Sequence, residues 1–545
     1  MSVLAIAETP RLGLAGFVDQ LRSKLGARTI SEGFECLNAN RAIMDQIGPG
    51  QPRSAIAAGY IAQWVDAGYG STALIKQLLA RFPDRGRSNL TIEDFAHLRV
   101  AEGILSLVAE DLDRAIELFS VVLALAPNLE DQELTVIAHF GRARCQRRKG
   151  EYGAAYTETV AARDLADSLG FKVMAAVIRT LESWLVFRKG KLREAALILE
   201  EAESVMCGTD DFITIGNIES AFGRLAQHEG RYQQGLDRFV ASISNYRKRS
   251  PEHPNIARSL ANMAYVERLL SLQLKKKIDG DVAHRRKAGL NQPGQSRLRD
   301  HFDQLRNDAM AHLRAAGEIY ETRLQHHGAG TVKVNCGFLY YDAGEFDRAS
   351  TEAAGAFQLG KDKNDFILMA RARLLQCSIE NARLEEEIEG EDPAQHARAA
   401  LDYAREAIEY ATNTEHTRLL ARARLAEGYT YCNDFLNDTS AARISCDAAA
   451  AVLKTDSLDS LWEEVRSLRA KINRTTGTDA TLRAWSQGDV GERTFQQLTE
   501  DFAELIIPKI WEQEGRKVSR VATRLSVSPK KVRRILSRAG LLRKV

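Results

Sequence analysis

Four stretches of this chain align at one interval: "AEDLDRAIELFSVVLALAP", "RKGEYGAAYTETVAARDLA", "RKGKLREAALILEEAESVM" and "HEGRYQQGLDRFVASISNY". Each opens on a turn, then places a large residue, a small one three later and a bulky or branched one four after that. The large positions are Leu112, Tyr152, Leu192 and Tyr232, and the small ones Ala115, Ala155, Ala195 and Gly235, forty residues apart each time. A second small series, Gly103, Ala143, Ser183 and Gly223, precedes them at the same spacing. The i, i+3, i+7 pattern keeps these residues on one helical face, and small residues let two helices approach closely. Each unit therefore reads as a helical hairpin with one close-packing point per helix. No such hairpin buries its apolar face alone, so a fixed period of this length predicts stacking into an all-α solenoid. With only 11 prolines in 545 residues, against a usual ~5%, long uninterrupted helices are permitted nearly everywhere.

These residues resemble the tetratricopeptide repeats, in the long form of kinesin light chain and MalT-like regulators. "GTVKVNCGFLYYDAGEFDRAS" matches the repeat through Asn335, Gly337, Tyr340, Gly344, Phe346 and Ala349, and "SPEHPNIARSLANMAYVERLL" looks like the His-Pro start and Asn-containing first helix of the kinesin-light-chain type. The family's glycine, alanine, phenylalanine and proline also stand as Gly103, Ala115, Phe119 and Pro127. The resemblance implies a right-handed tetratricopeptide-like solenoid whose first helices line a groove for a peptide or protein partner. There Asn262 and Asn335 would bond an extended backbone, with Arg258, Tyr265, Arg268, Phe338 and Tyr341 beside them. The alternative for both asparagines is a buried bridging role.

The pattern sets the expected divisions: an N-terminal helical cap over 1–50, the solenoid over 51–473, a linker over 474–491 and a separate domain over 492–545. Between a helix ending near Leu274 and one starting near Asp300, "KKKIDGDVAHRRKAGLNQPGQSRLR" reads as a basic loop insertion at about 275–299. "RLEEEIEGEDPAQ" reads as an acidic loop. Solvated loops are the plain reading of both, and a second nucleic-acid contact is the sharper reading of the basic one.

From Gly515 to Val545 the chain holds eleven Lys or Arg and no Asp or Glu. Taking those eleven from the 75 basic residues leaves everything before Gly515 net acidic against 73 Asp and Glu. A compact basic end on an acidic body points to a polyanion partner. "TFQQLTEDFAELIIPKIWEQEG" predicts a helix, kinked or split at Pro508; "VSRVATRL" a second; and, after the turn "SVS", "PKKVRRILSRAG" a third. Ser528 can cap the third helix and Pro529 suits its first position. This stretch resembles the Fis-type helix-turn-helix through Gly515, Ala522, Leu525, Val527, Ser528, Val532, Leu536, Gly540 and Leu541, departing from it at Arg516. The resemblance implies a DNA-binding domain in which Lys530, Lys531, Arg533, Arg534, Ser537 and Arg538 form the recognition side, with Arg516, Lys517, Arg520, Arg543 and Lys544 on phosphates. A basic helical cap without DNA is the alternative.

Other chemistries find no footing. Seven scattered cysteines form no C-x-x-C pair, and eleven histidines no ligand constellation, so neither a disulfide framework nor a metal site is indicated. "GYGSTALIK" lacks the spacing of a phosphate-binding loop, and no nucleophile-elbow or zinc-protease motif occurs. No cofactor and no catalysis are expected. No apolar run approaches the ~18 residues of a membrane span, which fits a cytoplasmic protein. The leading expectation is a DNA-binding transcription regulator whose solenoid senses a peptide or protein, acting as a homodimer because one small helix-turn-helix rarely supplies enough affinity. The Ala-rich helices from Ala399 to Leu468 are a candidate dimer surface. The competing expectation is a non-enzymatic scaffold whose basic end docks a protein or RNA.

Overall fold

The computed structural model describes residues 13–287, 296–323, 325–386, 392–453, 461–476, 494–538 and 541–542, and every regular element among them is helical. Two compact units divide at Leu468 and Arg469. The first opens with α1 (Leu14–Ala27), α2 (Ile30–Ala39), α3 (Arg41–Gln46), α4 (Ser54–Asp66) and α5 (Thr72–Ala80). α4, "SAIAAGYIAQWVD", is apolar around most of its circumference and is accordingly buried among the others. Its Trp64 ring lies against Gly33, and its indole N–H donates to the Leu21 carbonyl at 3.2 Å.

Helical hairpins follow: α6 (Ile92–Val108) with α7 (Leu112–Leu125), α8 (Glu133–Lys149) with α9 (Tyr152–Ser168), α10 (Lys172–Arg188) with α11 (Leu192–Met206), and α12 (Phe212–His228) with α13 (Tyr232–Arg249). They continue as α14 (Pro254–Lys287) with α15 (Ser296–Thr322), α16 (His326–Asp342) with α17 (Phe346–Asp362), α18 (Phe366–Glu386) with α19 (Pro393–Thr412), and α20 (Thr417–Tyr431) with α21 (Thr439–Val452); α22 (Leu461–Thr476) comes last. From α6 to α21 each helix packs on the next, which makes a tetratricopeptide-like solenoid. The forty-residue glycines explain the turns: Gly150, Gly190 and Gly230 adopt φ of 86°, 83° and 76°, the left-handed region that a β-carbon disfavours. The small-residue series explains the close approach. A β-carbon on Gly103 would sit 2.8 Å from the Phe119 ring, and one on Gly223 would sit 2.7 Å from Phe239.

The basic insertion is not a loop over most of its described length. α14 runs on through "KKKIDGDVAHRRK" to Lys287, and α15 already begins at Ser296, ahead of Asp300. Lys, Arg and Ala are good helix formers, and one interior Gly280 costs only about 1 kcal/mol. α22 likewise runs to Thr476, past the expected start of the linker at 474, the rest of which lies outside the described residues. The Ala-rich stretch from Ala399 turns its small residues inward: Ala400, Ala404, Ala407 and Ala411 are buried where α19 meets α18 and α20.

The second unit contains α23 (Phe495–Gln513), α24 (Val518–Arg524) and α25 (Pro529–Arg538). Ile507, Trp511, Val521, Ala522, Val532, Ile535 and Leu536 form its core. α23 starts at a capping box between Thr494 and Gln497 and passes through Pro508 unbroken. Gly515, at φ 63°, turns the chain into α24.

Candidate functional site

The first helices of successive hairpins enclose a cavity of about 2010 Å³ within the solenoid unit. α8 contributes Arg147, α10 Trp184 and Arg188, α12 Arg224, α14 Arg258, Asn262 and Tyr265, α16 Asn335 and Phe338, α18 Arg371, and α20 Arg418 and Arg422. Turns far apart in sequence meet across it. The Glu415 N–H donates to the Gly150 carbonyl at 3.2 Å, and the Gly153 N–H donates to the Glu415 carboxylate. Arg188 Nη1 stands 2.7 Å from His416 Nε2, and His326 Nδ1 2.9 Å from Glu110. Tyr152 packs edge-on against both Trp184 and His416, at ring separations of 5.3 and 5.8 Å. These contacts clasp the α6–α7 and α8–α9 turns and the end of α10 to the start of α16 and the α19–α20 turn.

The wall is dominated by guanidinium groups. The Arg147 and Arg224 side chains make no hydrogen bond to any described residue, and the Nε atoms of Arg147, Arg188, Arg224 and Arg258 are buried without a partner among those residues. Arg258 and Arg371 have neutral acceptors: Arg258 donates to the Asn217 side-chain oxygen at 2.6 Å and Arg371 to Thr331 Oγ1 at 3.0 Å. Burial, then the neighbouring Arg148 and Arg258 cations, push the Arg147 pKa down to about 9. Burial with Arg258 and Arg188 does the same to Arg224, and burial with Arg422 and Arg188 takes Arg418 to about 9 and Arg371 to about 10. Arg422 is the exception: burial lowers it, but Tyr265 and Glu464 hold it above the usual value. Its side chain is exposed by surface area although protein surrounds it, as expected of a group that opens into a deep cavity. Of the lining carboxylates, Glu110 pairs with His326, Asp365 with His326 and His327, and Asp113 and Glu151 with Lys149, while Glu463 and Glu464 on α22 have no ion pair among the described residues.

Of the groove residues expected from sequence, Arg258, Asn262, Tyr265, Asn335 and Phe338 line the cavity. Asn262 Nδ2 is buried there without a partner. Arg268 and Tyr341 do not line it. Arg268 is drawn into a two-bond pair with Asp342 at 2.5 and 2.9 Å and lies over the Phe338 ring, while Tyr341 packs against Phe338 and Phe346. Arg147, Arg188, Arg224, Arg371, Arg418 and Arg422 were not singled out from sequence. The motifs "RRKG" and "FRKG" put basic residues in a helix's last turn, where the helix dipole favours them whatever lies beside them.

On the C-terminal unit, the Lys531 N–H donates to Ser528 Oγ at 3.2 Å, so the serine caps α25. Lys530, Arg533, Arg534 and Arg538 are exposed, Lys531 and Ser537 half-buried, and Arg516, Lys517 and Arg520 exposed before and on α24. The recognition side is not uniformly cationic. Arg534 pairs with Glu500 at 2.5 Å and Arg538 with Glu504 at 2.9 Å, both acids coming from α23. Lys530, Lys531 and Arg533 have no such pair among the described residues. Arg543 and Lys544 lie outside the described residues.

No family model matches the sequence, and no curated protein matches it. Among solved structures, the apo form of the quorum sensor NprR from B. thuringiensis is similar at 11% identity and TM-score 0.47, over 72% of this chain and 98% of NprR. The Rap conjugation gene regulator of plasmid pLS20, solved with the Phr peptide, is similar at 11% identity and TM-score 0.42, over 74% of this chain and 97% of its own. The human IFIT1 dimer with m7Gppp-AAAA is similar at 13% identity and TM-score 0.44, over 82% and 92%. Likenesses this remote carry no argument about function.

Proposed function

We propose that this protein is a non-enzymatic, DNA-binding transcription regulator whose solenoid senses a ligand in its central cavity. The observation that carries the sensing half is the cavity itself, walled by the first helices of successive repeats and closed by the contacts of Glu415 and His416 with Gly150, Gly153 and Arg188. The DNA half is supported by the tight turn between α24 and α25, the Ser528 cap, and Lys530, half-buried Lys531 and Arg533, which have no ion pair among the described residues. The repeat resemblance implies a peptide or protein partner for the solenoid. Any occupant would act by favouring one closure state of the solenoid and so shifting the fraction of chains competent for DNA. A homodimer would double the helix-turn-helix and lengthen the operator.

The test is recovery of fragmented genomic DNA by the full chain at two salt concentrations. A few related sequences, bound less tightly at higher salt, are expected. In Arg533→Ala/Arg534→Ala the sequence preference is expected to disappear. Retention of the same sequences by that variant, or recovery of bulk DNA alone by the parent chain, would sink the regulator reading and favour the scaffold.

A further inference from the structure

The cavity's charge narrows what it holds, on the reading that it is the sensing site. Guanidiniums converge on it from six first helices, α8, α10, α12, α14, α18 and α20. A cluster of like charges removed from bulk water destabilises an empty protein, because each cation loses hydration and repels its neighbours. Here Arg147 and Arg224 have neither a carboxylate nor a neutral hydrogen-bond partner among the described residues to offset that cost. Such an arrangement persists where an anion relieves it.

The kind of anion follows from the balance of donors and acceptors. The wall presents guanidiniums and the orphaned Asn262 amide, while Glu110, Asp365, Asp113 and Glu151 are committed to His326, His327 and Lys149, and the carboxylates without an ion pair among the described residues include Glu463 and Glu464, grouped on α22. A peptide backbone brings one N–H per residue and needs acceptors, of which this wall has few to spare. A phosphate brings only acceptors, in the geometry a guanidinium fork fits with two bonds. Aromatic rings are interleaved with the cations: the Arg147 and Arg188 guanidiniums lie 5.2 and 4.8 Å from the Trp184 ring, and Tyr265 lines the same wall. Cations alternating with aromatic faces suit a phosphate chain that carries flat bases. The volume, about 2010 Å³, exceeds the roughly 300–1,000 Å³ of ordinary small-molecule pockets and admits more than one nucleotide unit.

We propose that the cavity binds a phosphorylated nucleotide, free or at the end of a short single strand, with its phosphates on Arg147, Arg188, Arg224 and Arg258 and a base against the aromatic wall that includes Trp184 and Tyr265.

The experiment is fluorescence anisotropy of the full chain with a labelled, 5′-phosphorylated single-stranded hexanucleotide. Binding that weakens with salt is expected, together with at least a tenfold loss in Arg147→Gln/Arg224→Gln, about 1.4 kcal/mol. Displacement by unlabelled nucleoside triphosphate assigns the site to free nucleotides, and displacement by unlabelled strand alone assigns it to strand ends. The inference is overturned by absence of binding to both probes, by unchanged affinity in the cavity variant, or by a hexaglutamate peptide competing as well as the nucleotides. If the double variant loses its helical circular dichroism, Trp184→Phe decides: the change in tryptophan fluorescence on adding nucleotide is expected to vanish, and its persistence overturns the inference. Loss of this binding leaves genomic-DNA recovery as a separate readout, so failure here and failure of the regulator reading are distinguishable.

Discussion

His416 carries two contacts that a single imidazole satisfies only in part. Its Nδ1 accepts the Leu419 N–H at 3.2 Å, capping α20, and its Nε2 faces Arg188 Nη1 at 2.7 Å. A neutral ring has one acceptor nitrogen, so one contact excludes the other as a hydrogen bond. Burial, with Arg188 and Arg371 nearby, holds its pKa well below the usual histidine range, so the ring stays neutral and keeps its one acceptor. Arg224 poses the same conflict more plainly. Its pKa is depressed to about 9, so the folded chain holds this proton less tightly than the unfolded one, and the cation destabilises the fold until pH rises past about 9. Arg224→Gln is therefore expected to raise the melting temperature of the ligand-free chain at pH 7 by about 2–4 °C, the shift that ~1 kcal/mol gives in a large domain. Calorimetry checks this, and a lower melting temperature would mean that Arg224 is a structural residue.

At the scale of elements, the glycine pairs of the repeat decide how near two helices lie. Gly103 and Gly141 approach the Phe119 ring from different helices, and Gly223 meets Phe239 in the same way. Gly223→Ala gains helix propensity but drives a β-carbon into the ring, so a net destabilisation of about 1–3 kcal/mol is expected from urea unfolding. An unchanged midpoint would show that Phe239 has room to move. Helix ends proved harder to place than helix cores. The α14 segment beyond Leu274 looked like a loop because it is polar and has no apolar stripe, yet it continues as helix because few residues in it oppose one. Pro508 stays within α23. The local rule against interior proline is overridden where Ile507 and Trp511, on either side, are anchored in the core of the unit.

Across the solenoid unit, closure rests on Glu415, and stability at low pH on buried neutral histidines. Glu415→Ala removes the acceptor of the Gly153 N–H and is expected to speed amide exchange at 150–153 and 414–416, with helical circular dichroism unchanged. Equal protection in parent and variant would assign the clasp to the remaining contacts. Burial pushes His97 down to about 3, and burial with Arg258, Arg323 and Arg249 takes His253 to about 4. Both stay neutral in the folded chain while the unfolded chain protonates below about pH 6.5, so stability is lost as pH falls. For His97, buried in the core, this approaches ~1.4 kcal/mol per pH unit. His312, raised by its bond to Glu267, works in the opposite direction. The melting temperature is expected to fall from pH 7 to pH 5, and a flat profile would refute the assignment of these rings as neutral.

The order of residues alone specified the hairpins, their forty-residue period, the turn glycines and the three C-terminal helices, because these depend on periodicity, capping and backbone freedom within a few dozen residues. The resemblance to the repeat family implied which helices face inward, and thus Asn262, Asn335 and Phe338. The arginine wall was not legible, since each arginine in isolation is an ordinary helix-end or helix-face residue. Only folding brings Arg147 near Arg258, and Gly150 within 3.2 Å of Glu415. Electrostatic energy depends on distances through space, and the curvature that sets those distances accumulates over many repeats, none of which encodes it alone.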